Sequence, residues 1–338
     1  MDNYVLSLSE EIKDCFKAKN VLITGGLGFI GSNLARALVE LEACVWVVDS
    51  MIPEYGGNLF NLEGVKDKVH INFSDMRDRY SLDYLVKSKQ MIFNLAGTLS
   101  HIDSMKDPFT DLQINCNSQL SLLEACKMNN PEAKIVFAGT RGQYGKPEYL
   151  PVDEKHPMCP IDVNGINNIA GEWYHILYNN VYGIKACSLR LTNTYGPRHQ
   201  MRHPRQGVIN WFVRKLLDQE AVKIYGDGTQ VRDLNYVDDV VVALLLAMAN
   251  EKTNGQIYNL GGEALSLVDL VKLMIKVFGR GSYESVPYNK QLSKIEIGDY
   301  QANTQKIAQD LGWQPQISLE EGFKRTFEYY QTNKQHYW

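Results

Sequence analysis

The chain lacks any apolar run near the ~20 residues that a membrane-crossing helix needs. Its opening segment, MDNYVLSLSEEIKDCFKAKN, is polar and acidic and lacks the apolar core of a signal peptide. That segment reads as a short surface helix ahead of the first strand. Cys-x-x-Cys pairs are missing: the six cysteines are scattered, and none sits in a Cys/His cluster. Neither a disulfide framework nor a metal site is expected, but rather reduced, mostly buried thiols in a cytoplasmic protein. There is no excess of positive charge. The net charge of −4 gives no footprint for nucleic acid or an anionic membrane. Internal repeats and low-complexity segments are absent as well.

What is present is an ordinary globular composition, 44% hydrophobic and 22% charged, over 338 residues. That length suffices for a large core and one or two domains. The informative stretch is VLITGGLGFIG, residues 21–31. A β-branched run (Val21, Leu22, Ile23, Thr24) reads as a buried parallel strand. It enters a glycine turn, and a helix with an apolar stripe of Phe29, Ile30, Leu34 and Leu38 follows. Gly25 lets the chain turn tightly, Gly28 lets a diphosphate approach the backbone, and Gly31 lets the helix pack on the strand. The helix N-terminus offers free N–H groups and partial positive charge to the phosphates.

A second strand over residues 44–48 ends at Asp49, 18 residues beyond Gly31. That spacing suits a carboxylate accepting from ribose hydroxyls. Ser50 and Met51 follow, with no arginine for a 2′-phosphate, so NAD is favoured over NADP. Further strands are expected over 69–73, 91–94, 133–137 and 186–191, with a helix over 108–129 between the fourth and fifth. Asp75, just after the third strand, is placed to accept from an adenine amine. Leu95, Ala96 and Gly97 are small enough after the fourth strand for a dinucleotide to pass. Alternating strands and helices predict an α/β fold with a doubly wound parallel sheet and a ligand crevice at its carboxyl ends.

The motifs TGGLGFIG, Asp75-Met76, Asn94-Leu95-Ala96-Gly97, Asn115, Thr140 with Tyr144-Gly145, residues 189–198 (LRLTNTYGPR) and Arg232-Asp233 with Tyr236-Val237-Asp238-Asp239 carry a resemblance over almost the whole chain. The chain resembles the extended short-chain dehydrogenases/reductases, in the NAD-dependent group of nucleotide-sugar epimerases, dehydratases and decarboxylases. Locally, residues 54–59 and the Ser100-His101 pair are similar to dTDP-glucose 4,6-dehydratases, and residues 193–205 to UDP-glucuronate decarboxylases. The resemblance implies a Rossmann-type domain over residues 1–188, to which the chain returns around 234–260. Residues 189–338 then form a smaller α/β domain that binds the nucleotide sugar. It implies that Gly25, Gly28, Phe29, Ile30, Gly31, Asp49, Asp75, Met76, Leu95, Ala96, Gly97 and Asn115 hold NAD. Ser100, Asn193, Arg205, Tyr225 and Arg232 would hold the nucleotide-diphosphate sugar. Arg205 belongs to a cationic loop (Arg198, His199, Arg202, His203, Arg205), which suits a phosphorylated ligand beside a crevice. The helices over 112–126 and 167–180 correspond to a four-helix homodimer interface, with Ile169, Trp173, Ile176 and Leu177 as its stripe.

The resemblance fails at the chemistry. The family uses a Ser or Thr hydroxyl, a tyrosine acid/base and a lysine four residues later that lowers the tyrosine pKa. Thr140 stands at the hydroxyl position. The tyrosine position is Asn164 and the lysine position is Asn168, and neither amide titrates or carries charge. A positioned acid/base contributes typically ~10²–10⁴-fold, so the ordinary mechanism is disfavoured. Asn164 and Asn168 remain candidates for hydrogen bonds to ribose or sugar hydroxyls. Substitute bases are Tyr144 and His101, with Asp162 and His156 behind them. The dehydratase acid pair is Arg141 and Gly142 here, and Glu296 stands where the family often has an arginine. Two classes follow: an NAD-dependent nucleotide-sugar-modifying enzyme with an altered proton relay, or a non-catalytic protein that binds both ligands.

Overall fold

The computed structural model describes residues 8–287 and 296–338. Short β-branched runs alternate with apolar-striped helices, so strands stack side by side and helices cover both faces. In chain order the strands are β1 (Asn20–Thr24), β2 (Cys44–Val48), β3 (Val69–Asn72), β4 (Met91–Asn94), β5 (Lys134–Thr140) and β6 (Ala186–Leu191). Then come β7 (Asn193–Tyr195), β8 (Ala221–Tyr225), β9 (Val231–Tyr236), β10 (Ile257–Asn259), β11 (Glu263–Ser266) and β12 (Ser282–Val286). The central sheet has seven strands in the order β10-β6-β5-β4-β1-β2-β3. Every pair in it is parallel. Strand order reverses between β1 and β4, and a doubly wound sheet opens its ligand crevice at that switch point.

Two cores hold the chain. One lies against the central sheet and includes Val21, Leu34, Val45, Phe93, Val240 and Leu244. Burying a leucine such as Leu34 contributes about 2 kcal/mol. The helix Val237–Ala249 belongs to this core, and β10 adds to the sheet beyond β6. The second core joins a three-stranded sheet (β11-β9-β7), a two-stranded sheet (β12-β8) and the C-terminal helices. Tyr195, Phe212, Val222, Leu270 and Phe323 are buried in it.

Three elements differ from the sequence reading. The third strand stops at Asn72, one residue short of Phe73. The fifth runs on to Thr140, because residues 135–140 pair continuously with Ala186–Leu191. That pairing carries Thr140 to the carboxyl edge. The long helix is broken into Pro108–Leu112 and Ser118–Asn129 by a wide turn, Gln113–Asn117, which holds Asn115. Wide turns of this kind often mark functional sites. The N-terminal helix is Glu10–Phe16, capped by Ser9 and anchored by buried Phe16. All six cysteines are free; Cys116, Cys126 and Cys187 are buried, and Cys159 is exposed. No helix among the described residues is long and apolar enough to cross a membrane.

Candidate functional site

A crevice of about 940 Å³ runs from the glycine turn after β1 to β7, β8 and β9 beside the second core. At its first end, Gly25 has φ +67°. A side chain at Gly31 would place its Cβ 2.3 Å from the Gly25 carbonyl oxygen, so only glycine lets the helix Phe29–Glu40 start there. No side chain caps that helix. The N–H groups of its first turn therefore stay available to an anion. Thr24 closes the turn from below: it donates to Asn94 at 2.8 Å and accepts from the N–H groups of Leu95 and Ala96. Thr24 and Asn94 both belong to the motifs noted in the sequence, and the hydrogen bond between them ties the ends of two adjacent buried strands.

Asp49 lines the crevice, and its two oxygens accept from Leu27 N at 3.1 Å and Met51 N at 2.9 Å. Burial pushes its carboxyl above the usual range despite both bonds. Asp75 and Met76 also line the crevice. The Asp75 carboxylate is forked by the Arg77 guanidinium at 2.6 and 2.9 Å, which holds it below the ordinary carboxylate pKa. Gly25, Gly28, Phe29, Ile30, Gly31, Leu95, Ala96, Gly97 and Asn115, all expected at the dinucleotide, line this end of the crevice as well. Asn115 pins the loop after β4, accepting from Thr98 N at 2.9 Å. An uncapped helix start, a glycine cradle and an acid at the end of β2 together fit a pyrophosphate and ribose, the parts of NAD.

The middle of the crevice holds the residues expected to carry the chemistry. Thr140 lines it, accepting from Gly142 N at 3.1 Å. Asn168 also lines it and donates to the Asn164 carbonyl at 2.9 Å. Asn164 does not line it. It is 2% exposed, and its amide donates to Thr98 O at 2.8 Å and to Asp111 Oδ2 at 3.0 Å. The expectation of a ligand contact from Asn164 is corrected on that ground: its donor is used inside the protein.

Tyr144 is corrected too. Its ring is fully buried, its hydroxyl donates to Asn259 and accepts from Arg190, both at 2.6 Å, and it does not reach the crevice. Burial pushes its phenol up to about 12, which unsuits it as a base. Behind it, Arg190 and Glu172 form a buried ion pair at 2.6 Å. An arginine within the apolar strand Leu189-Arg190-Leu191 was the overlooked signal of that pair. Ser100 is 4% exposed and caps the helix His101–Lys106 by accepting from Asp103 N, so it faces no ligand. His156 is buried, its ring engaged by Glu148 N and Pro157 O.

His101 and Asp162 both line the crevice and meet at 2.6 Å, from Nδ1 to Oδ2. The other Asp162 oxygen accepts from Gly165 N at 2.8 Å and caps the helix Val163–Tyr182. Burial opposes ionisation of Asp162, but the His101 and Gly165 bonds outweigh it and leave the carboxyl below its usual range. Arg141 lines the crevice nearby, 5.1 Å above the Tyr300 ring. Burial, with Arg232 close by, lowers its guanidinium to about 10.

At its other end, beside the second core, Asn193, Arg205, Tyr225 and Arg232 all line the crevice. Asn193 is anchored by donating to Asp233 O at 3.0 Å. Arg205 pairs with Asp103 at 3.1 Å. Arg232 donates to Gly298 O at 2.7 Å and pairs with Glu296 at 2.6 Å.

The chain matches the model of the NAD dependent epimerase/dehydratase family over residues 21–261. It is 31% identical to the UDP-glucose 4-epimerase of Mycolicibacterium smegmatis, over 93% of this chain and 99% of that one. Among solved structures, it is similar to a UDP-glucose 4-epimerase from Thermotoga maritima with UDP-glucose (TM-score 0.85, 32% identity, 93% of this chain and 99% of that one). It is also similar to DesIV, a dTDP-glucose 4,6-dehydratase from Streptomyces venezuelae with NAD bound (TM-score 0.85, 27% identity, 94% and 98%). The chain belongs to the NAD dependent epimerase/dehydratase family.

Proposed function

We propose that this chain is an NAD-dependent enzyme that modifies a nucleotide-diphosphate sugar, in the manner of an epimerase, dehydratase or decarboxylase. The sugar is transiently oxidised, and the proton relay differs from the family's Tyr/Lys pair. The observation that carries this reading is one crevice lined both by the dinucleotide residues and by Asn193, Tyr225 and Arg232. Bound NAD supplies the acceptor for the electron pair of a sugar C–H bond. The start of the helix Phe29–Glu40 holds the pyrophosphate, and Asp49 accepts from ribose hydroxyls. Thr140 orients the reacting hydroxyl. Arg232 faces the substrate diphosphate, and Asn193 and Tyr225 hold the nucleotide end. Trp173, Leu177, Val181 and Tyr182 are exposed on the helix Val163–Tyr182, which supports a homodimer through a four-helix bundle. Ile176 is not part of that stripe, since it is 5% exposed and packs inward.

A second reading, a non-catalytic protein that binds both ligands, draws on Asn164 and Asn168, which cannot titrate. Incubation with UDP-, dTDP-, CDP- and GDP-sugars separates the two. Epimerised, dehydrated or decarboxylated sugar by NMR, or a rise in NADH absorbance, is the expected result. Tight binding of NAD and a sugar nucleotide without conversion over many hours would favour the second reading.

A further inference from the structure

We propose that His101 and Asp162 are the proton relay of this chain, with His101 Nε2 as the acid/base at the reacting sugar oxygen and Asp162 as its positioning residue. This rests on the catalytic reading above and names the group which that reading leaves open.

The geometry sets the tautomer. Nδ1 lies 2.6 Å from an Asp162 oxygen, so the Nδ1–H donates to the carboxylate and the Nε2 lone pair faces away. Among the described residues Nε2 has no hydrogen-bond partner. The imidazole is 46% exposed while the Asp162 side chain is 3% exposed, which puts the ring at the crevice wall and the carboxylate behind it. Asp162 is itself held rigidly, because its second oxygen caps the helix Val163–Tyr182. A group that orients the base, with the base open to substrate, is the arrangement that proton transfer needs.

The pair also stands at the right place. A methyl group built on Gly142 would lie 3.4 Å from His101 Cε1 and 3.5 Å from Thr140 Oγ1. The imidazole and the Thr140 hydroxyl thus flank one small gap, which the absence of a side chain at Gly142 keeps open. Asp162 sits one residue ahead of the helix that carries Asn164, so the titrating function moves to the cap of the same helix. The charged neighbours are Arg141, on the turn after β5 and felt by Asp162, and the Asp103–Arg205 pair, whose acid lies on the helix of His101.

In the forward step the sugar O–H bond breaks and its proton passes to Nε2. Bound NAD+ would take the hydrogen of the C–H bond on the same carbon together with its electron pair, as hydride, leaving that carbon as a ketone. The new imidazolium is stabilised by the Asp162 carboxylate. The return step runs the same transfers in reverse.

The test uses the full chain loaded with NAD and labelled with 15N at the histidine rings. Wild type is expected to show His101 as the Nδ1–H tautomer in its neutral form, with an Nε2 signal that moves on adding UDP-glucose. Asp162→Asn keeps the helix cap, since asparagine caps as well as aspartate. With its oxygen kept on Gly165 N, the new amide NH2 faces His101 Nδ1 in place of an acceptor, so the neutral ring is expected to move to the Nε2–H form. An Nε2-protonated neutral ring in wild type, or an unchanged tautomer in Asp162→Asn, overturns the proposal even if no sugar is turned over. For any sugar nucleotide that wild type converts, His101→Gln is expected to lower kcat by ~10²–10⁴-fold with KM little changed. Asp162→Asn is expected to shift the acid limb of its pH profile downward. Unchanged kcat in His101→Gln overturns the relay while leaving the enzyme reading intact. A wild type that converts nothing overturns the enzyme reading, and the ring spectra still judge the pair.

Discussion

The Asn164 side-chain amide donates to the Asp111 carboxylate at 3.0 Å, inside the protein rather than toward the crevice. Thr98 at 2.8 Å, Asn115 at 3.0 Å and Asn167 at 2.7 Å donate to the same carboxylate. Asp111 is 3% exposed, so these four side chains replace its water. Asn164 and Asp111 thus belong to a structural node that ties the helices Pro108–Leu112 and Val163–Tyr182 to the loop after β4.

Removing the acceptor leaves several buried donors unpaired, each costing about 1–3 kcal/mol where it cannot reach water. Asp111→Ala is therefore expected to lower stability by ~3 kcal/mol or more, and Asn164→Ala by about half of that. Urea denaturation midpoints check both. Equal, small losses in the two variants would show that the node does not hold the helices together.

How legible the site was depended on sequence distance. The glycine turn and Asp49 were readable because they act through local backbone: Gly25 needs a positive φ, and Asp49 ends a strand that the pattern marks clearly. The doubly wound parallel sheet likewise follows from alternation and right-handed crossovers. Side-chain pairings across the fold were not readable. His101 and Asp162 stand 61 residues apart, and their meeting depends on how the loop after β4 packs on a helix cap. Tyr144 was misplaced for the same reason: its environment is set by Arg190 on β6 and Asn259 on β10, two strands far along the chain.

Arg232 and Glu296 pair on the crevice wall, and on the proposed reading a diphosphate binds beside that pair. Glu296 sits 2.6 Å from the Arg232 guanidinium, so a diphosphate must compete with it and with its negative charge. Glu296→Gln is expected to tighten UDP binding by about five-fold, roughly 1 kcal/mol. Arg232→Ala is expected to weaken it by at least ten-fold. Isothermal titration with UDP at two salt concentrations reads both effects, and weaker binding in Glu296→Gln would refute the competition.

Asp49 braces the glycine turn, and on the proposed reading it also accepts from ribose. Its oxygens hold Leu27 N and Met51 N, and a side chain at Gly57 would come within 2.8 Å of one of them. Asp49→Ala is thus expected to weaken NAD binding by about ten-fold or more and to erase discrimination against NADP. Because burial raises this carboxyl's pKa, protonation begins at a higher pH than for a free aspartate. The NAD dissociation constant should rise correspondingly early as pH falls. Fluorescence titrations with NAD and NADP across the acid range measure both.

His175 and Asp233 make opposite contributions to acid stability. His175 is fully buried, with Nδ1 bonded to Gly171 O at 2.7 Å and Nε2 to Asn94 at 3.1 Å. Burial drops its pKa from 6.5 to about 4. Below pH 6.5 the unfolded chain takes up a proton that the folded chain refuses, so stability falls as pH drops from about 6.5 to about 4. The slope approaches ~1.4 kcal/mol per pH unit. Burial raises Asp233 from 3.8 to about 7, so its folded form holds a proton that the unfolded chain has released. Its contribution is complete below about pH 4 and is lost as pH rises through about 7. The two slopes oppose each other over a shared interval, which flattens the wild-type profile there. His175→Gln should therefore lose stability with rising pH where wild type stays level. Asp233→Asn should lose stability on acidification and compare best with wild type at pH 8. Urea midpoints at pH 4.5, 6 and 8 test this, and profiles parallel to wild type in both variants would rule out the compensation.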